Sequence, residues 1–183
     1  MKFRIYILFL IPVFLLVSCE NNIEPVPKSD YLRLPSASAE DFVTIMSDSG
    51  KMEVRVSAPL MEQWDSGEAP YTEFTKGIRV DYYDKDTIVH GSVTAMYAKY
   101  DKNSDIWTLR DSVVVINEDD DKLETELLNW DQKKDLIYTD RFVKITRIKT
   151  EEIIQGFGFE SDSHLRRQKI KKVSATIYID TEE

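Results

Sequence analysis

The sequence predicts an all-β protein, a folded antiparallel sheet built from repeated strand-turn-strand units. From Asp41 onward, apolar residues alternate with polar ones instead of recurring at helical spacing. Turn-forming residues separate the alternating runs, and a self-similarity at an offset of 30 residues orders them.

The alternation is clearest at Met52-Val54-Val56, Ile78-Val80, Trp107-Leu109 followed by Val113-Val115, Val143-Ile145, and Val173-Ala175-Ile177-Ile179. A period of two places such residues on one side of a strand. Between the runs fall Ser49-Gly50, Asp65-Ser66-Gly67, Lys102-Asn103-Ser104-Asp105, Asp119-Asp120-Asp121 and Gln132-Lys133-Lys134-Asp135, residues that suit tight turns. Pro59 and Pro70 are the interruptions, and Leu60 to Trp64 reads as the one helical turn.

The repeat appears when residues 93–107 are set above residues 123–137. Tyr100-Asp101 then meets Trp130-Asp131, Asp105 meets Asp135, and Ile106 meets Leu136. Beyond this, a one-residue slip aligns Asp111 with Asp140, Val114 with Val143 and Ile116 with Ile145. Such a slip predicts a bulge. Weaker copies run from Met52 to Val80, broken at Gly77, and from Glu151 to Ile177. A single unit cannot bury its own apolar face, so the units are expected to stack into one continuous sheet.

The first residues have a different purpose. Lys2 and Arg4 precede an uncharged run from Ile5 to Val17, followed by Ser18 and Cys19. Thirteen residues interrupted by Pro12 fall short of the roughly 20 that a spanning helix needs, so the run reads as a signal peptide. Leu16-Val17-Ser18-Cys19 has the lipobox pattern, and Cys19 is the single cysteine of the chain. Small Ser18 gives a signal peptidase access to the backbone, and the Cys19 thiol takes the lipid. Two or three acyl chains, at roughly 0.8 kcal/mol per buried CH₂, would anchor the chain stably. The expected plan is therefore a signal peptide at 1–18, a lipidated N-terminus and tether at 19–40, and a β domain at 41–183. The tether carries Pro25, Pro27 and Pro35 and shows no periodicity, as an extended spacer should.

Cleavage before Cys19 leaves 165 of 183 residues, enough for one core. It also removes two of 24 cationic residues against 33 acidic ones, for a formal charge of −11. Such a chain is repelled by nucleic acid, which is not expected as a partner. Acylation of Cys19 would leave no thiol for a disulfide.

Glu118-Asp119-Asp120-Asp121 and Asp81-x-x-Asp84-x-Asp86 lack the ligand spacing and glycine of a calcium loop, and read as solvated turns. His90 and His164 have no ligand cluster around them, and no nucleophile or phosphate-loop motif occurs. No catalytic residue, metal or cofactor is assigned, and the expectation is a protein that is not an enzyme. Arg166-Arg167-Gln168-Lys169 with Lys171-Lys172 is the one basic run. It suits a solvated strand end or a contact with lipid phosphates.

Over Ser49 to Ile177 the chain resembles the LptC family of lipopolysaccharide-export proteins, within the OstA-like β-jellyroll group. The segments that carry the resemblance are Ser49-Gly50-Lys51, Phe74-Thr75-Lys76-Gly77-Ile78 before Tyr82-Tyr83-Asp84, Thr94-Ala95-Met96-Tyr97-Ala98, and Trp107 with Val113, Val115 and Asn117. They continue through Leu123-Glu124-Thr125, Leu128, Trp130-Asp131, Tyr138-Thr139-Asp140 and Gly156-Phe157-Gly158-Phe159-Glu160-Ser161-Asp162. Their order and spacing, more than any one of them, is what matches. Members are often held by an N-terminal transmembrane helix, whereas here a lipobox takes that place.

The resemblance implies an open, twisted β-jellyroll that takes part in lipopolysaccharide transport. It implies three partners besides the membrane: lipopolysaccharide, an inner-membrane lipopolysaccharide-export ABC transporter, and a periplasmic bridge protein of the same OstA-like, LptA-like fold. The location it implies is periplasmic and lipid-anchored, at the inner rather than the outer membrane. Acyl chains would lie in an apolar trough whose candidates are Trp107, Leu109, Val113, Val115, Trp130, Tyr138, Val143, Ile145, Phe157 and Phe159. Any of these would also serve as plain core. Val173, Ala175, Thr176, Ile177 and Ile179 belong to a last strand followed only by Asp180 to Glu183, expected to be an open edge for the bridge.

Two other classes remain open at this point. A cell-surface glycan-binding or assembly lipoprotein would present an exposed aromatic platform, and a glycosidase-like enzyme a cleft with two facing carboxylates.

Overall fold

The computed structural model describes residues 34–84, 88–163 and 165–176, the last three by their backbone alone. Its regular structure is eleven strands: β1 (Ala37–Asp48), β2 (Lys51–Trp64), β3 (Tyr71–Phe74), β4 (Ile78–Tyr83), β5 (Val89–Ala95), β6 (Tyr97–Asp101), β7 (Ile106–Ile116), β8 (Lys122–Asp131), β9 (Leu136–Arg147), β10 (Glu152–Ser161) and β11 (Lys169–Thr176). Every pairing is antiparallel. The first strand begins at Ala37, a few residues before the boundary read from the sequence.

Ser49-Gly50 closes the β1–β2 hairpin with both residues left-handed, at φ 50° and 80°, the conformation a two-residue primed turn demands. The helical turn expected at Leu60–Trp64 is instead the end of β2. Leu60 pairs with Glu40, while Gln63 and Trp64 pair with Thr72 and Tyr71, so ladders on two sides override the local signal. Pro59 interrupts nothing, because it stands outside every ladder, opposite unpaired Asp41.

That corner belongs to a crease that folds the whole sheet. On one flank, β2 pairs with β4 through Val54–Ser57 and with β3 through Glu62–Trp64. Likewise β7 pairs with β6 through Ile106–Arg110 and with β5 through Val114–Ile116. Left-handed backbone marks the crease at Asp41, Gly77, Asp111, Ser112 and Gly158. The result is a jellyroll-like fold of two leaves, made by strands that cross from one leaf to the other.

Each leaf turns one face inward. In the first leaf, Val56, Val80, Val93, Val115, Leu123, Ile145 and Ile154 stand opposite one another from strand to strand. In the second, Phe74, Ala98, Leu109 and Leu128 form the equivalent row, extended by Thr139, Phe159 and Ile170. Together with Leu165 they make one hydrophobic core. Burying this apolar surface is the main force holding the leaves together.

The repeat is real, but without the slip. Burial along Ile106–Val115 matches burial along Leu136–Ile145 at every position, at an unbroken offset of 30. Val113 and Val115 are therefore the counterparts of Val143 and Ile145, not Val114 and Ile116. At each corner three exposed residues, 110–112 and 140–142, precede the return of alternation, so side-chain parity is kept. The turns repeat as well. Asp101 Oδ1 accepts hydrogen bonds from the amides of Asn103 (3.1 Å) and Ser104 (2.8 Å), and Asp131 Oδ1 from that of Lys134 (3.1 Å). Left-handed Asp105 and Asp135 complete them.

Candidate functional site

The space between the leaves is the candidate site, and strand register decides who faces it. Val113, Val143 and Phe159 are the largest side chains fully enclosed there. Leu109, Val115 and Ile145 are buried beside them. All six lie on the inner face, as the sequence suggested, and serve first as core.

Trp107 and Trp130 also face inward, in a second row nearer the rim. There Thr72, Tyr100, Trp107, Trp130, Ile137 and Ser161 stand successively opposite one another. Trp107 stacks on Tyr100 at 5.0 Å and on Phe74 at 6.0 Å, joining this row to the core. Most of the row is only half-buried. Trp130 Nε1 and Ser161 Oγ are nevertheless buried without a hydrogen-bond partner, leaving two polar groups unpaired among apolar neighbours. An amphiphile with an ester, amide or hydroxyl group near its chains could satisfy them.

Tyr138 and Phe157 do not line this space. Tyr138 stands opposite Asn129 and Glu160, on the outer face, because its neighbours Ile137 and Thr139 hold the inward positions of β9. Phe157 shares the parity of Phe159, but the register shifts at Gly158 between them. The shift sends Phe157 outward, 55% exposed, where it meets Phe142 edge-on at 5.5 Å. Sequence reasoning missed the inward-facing Leu123, Leu128, Ile137 and Ile154. Alternation extended through Leu123 and Thr125 was the signal for the first; the shift between Thr125 and Asn129 hid Leu128.

The buried carboxylates have structural partners. Asp81 pairs with Arg79 at 2.6 Å, Asp131 with Lys134 at 2.7 Å, and Asp162 with Arg166 at 3.5 Å. Burial pushes the Asp162 carboxyl up, but the amides and guanidiniums of Arg166 and Arg167 more than offset this and hold it below the ordinary value. Among the described residues no group of His, Cys, Asp and Glu could hold a metal ion. Within the proposed partner strand, Val173 is an exposed side chain of β11, and Ala175 and Thr176 pair with Ile154 and Ile153. Ile177 and Ile179 lie outside the described residues, as does Cys19. Among the described residues, β11 ends one side of the sheet and β1 pairs only with β2, so both are edges.

A folded antiparallel sheet with an apolar interior and, among the described residues, two edge strands defines a β-jellyroll-like protein. A family model described as "Lipopolysaccharide-assembly, LptC-related" matches residues 5–178. The chain belongs to this LptC-related family. It thus has a role in lipopolysaccharide transport, in a family of periplasmic, inner-membrane-associated transport components that bind lipopolysaccharide and interact with the export transporter and bridge proteins. No individual curated protein matches the chain.

Proposed function

We propose that this protein accepts lipopolysaccharide from an inner-membrane ABC transporter, holds the acyl chains between its leaves, and passes the lipid to a periplasmic bridge protein of the same fold. The protein does this without catalysing a reaction, tethered by acyl chains on Cys19. One observation carries the reading: the apolar row from Val56 to Ile154 spans the first leaf nearly from edge to edge. A lipid moving along such a row meets no polar barrier, and another sheet paired to either edge would extend it. Acyl chains gain from leaving water in proportion to their area, while sugars stay solvated at the mouth. Among the described residues the outer sides of β1 and β11 pair with no strand, which suits strand addition by neighbouring jellyrolls.

The half-buried inner residues are where lipid would touch first. A photoreactive residue at Ile137 should crosslink to lipopolysaccharide only when the transporter hydrolyses ATP. Its neighbour at Tyr138, on the opposite face, should not. Equal crosslinking from both positions, or from Tyr138 alone, would place the lipid outside the leaves and overturn the proposal.

A further inference from the structure

We infer that the mouth of the groove holds a headgroup site, one that takes the phosphorylated, hydroxyl-rich sugar of a glycolipid. This rests on the proposed seating of acyl chains between the leaves. Two residues beyond Val115, Leu123 and Ile145, in step with their alternation, come Asn117, Asp121 and Arg147. The inner face therefore changes from aliphatic to polar over roughly 6–7 Å, two residues of strand. Leu165 of the β10–β11 connection joins the core, and brings Arg166 and Gln168 to the same place. They enclose a depression of about 490 Å³.

Its lining has two chemistries. Arg147, Lys149 and Arg166 supply cations, and Glu118, Asp119 and Asp121 supply acceptors. The two guanidiniums are held loosely: half-buried Arg147 meets Glu152 at 3.4 Å and exposed Arg166 meets Asp162 at 3.5 Å, whereas Lys149 is committed to Asp119 at 2.5 Å. Single long contacts of this kind leave guanidinium N–H groups available to a phosphate, which a guanidinium grips with two parallel bonds. A bare anion would face the three carboxylates. A sugar phosphate turns its hydroxyls to them instead. Gln168 adds a second, independent sign. Its Nε2 donates to the Leu165 carbonyl at 2.9 Å, but its Oε1 is buried and accepts nothing. A sugar hydroxyl is the donor it lacks. The Asn117 amide, by contrast, is already committed, accepting from the amides of Asp119 (3.0 Å) and Asp121 (2.9 Å) to fix the turn that presents the carboxylates.

The test uses the full-length protein in lipid nanodiscs, with binding read from tryptophan fluorescence. The probes are lipopolysaccharide, enzymatically dephosphorylated lipopolysaccharide and palmitate. Replacing both guanidiniums, Arg147→Gln with Arg166→Gln, should weaken lipopolysaccharide about tenfold, to the level of the dephosphorylated lipid on wild type. Palmitate binding should not change. Arg147→Lys with Arg166→Lys, which keeps the charge but not the paired bonds, should lose less affinity than the Gln pair and guards against a folding defect. Equal loss for palmitate and lipopolysaccharide would reduce these residues to props for the lip and overturn the inference. So would equal wild-type binding of native and dephosphorylated lipid. Failure of wild type to bind palmitate, with lipopolysaccharide still bound, would instead defeat the acyl groove.

Discussion

Val113 and Val143 lie thirty residues apart in the chain, yet both stand opposite Thr125, enclosed on either side of it. Each fills its site completely, so Val113→Ala and Val143→Ala should each cost about 1–3 kcal/mol of stability. The double variant should depart from additivity because both sites adjoin Thr125. Val114→Ala and Ile116→Ala, half-buried and exposed, should cost clearly less. Urea unfolding of the four variants checks the order, and a larger loss at Val114 than at Val113 would contradict the register.

Those same residues mark what the sequence made legible. Alternation, turn residues and the 30-residue offset were enough for strands, hairpins and the inward set Leu109, Val113, Val115, Val143 and Ile145. Corners were harder, because a crease changes parity without a fixed residue signature. At Asp111-Ser112 two left-handed residues restore parity, whereas at Gly158 a single shift reverses it, sending Phe157 out and Phe159 in. Pro59 next to Leu60–Trp64 suggested a break, which only the pairing with β1 and β3 could refute. Of the mouth site only the basic run at Arg166 was legible, as a candidate contact with lipid phosphates; its meeting with the turn near residue 119 comes from the folding of the leaves.

Acid should loosen the stacked turns. Hydrogen bonds from Ser104 hold Asp101 below the ordinary carboxylate value, those from Tyr100 and Lys133 do so for Asp105, and the Lys134 side chain does so for Asp131. A depressed carboxylate stabilises the fold at every pH above its unfolded value of about 3.9, and the contribution disappears as pH falls through the lower folded value. Stability should therefore be flat in these groups from neutrality to about pH 5 and decline below about 4. Asp101→Asn and Asp131→Asn should each flatten that decline, as followed by circular dichroism. A decline as steep as wild type in both variants would assign the acid sensitivity elsewhere.

The anchor makes its own prediction, from the sequence alone. Cys19→Ala removes the thiol that takes the lipid, so the chain should persist as an uncleaved precursor with its signal peptide. Mass spectrometry of the wild-type membrane form should find acyl chains on Cys19. A mature form without them would replace the lipoprotein by an ordinary secreted or helix-anchored protein.

The handover edge can be tested at β11 by removing single N–H groups. Among the described residues nothing pairs with the far side of this strand, and its near side is laddered to β10 from Lys169 to Thr176. Adjacent residues of an antiparallel strand send their N–H groups to opposite sides. Proline at Val173 and proline at Ser174 should thus behave differently. One removes a bond to β10 and should destabilise the sheet; the other removes a bond only from the open side and should leave unfolding nearly unchanged. That second variant should be folded yet fail to retain the bridge protein in a pull-down, and should stall lipopolysaccharide export. Alanine at the same position keeps the N–H and should bind as wild type does, separating main-chain pairing from side-chain contact. If the folded proline variant still captures the bridge in full, β11 is not the contact. The open side of β1, with Val43, Ile45 and Met46 half exposed along it, then becomes the surface to probe by the same substitution.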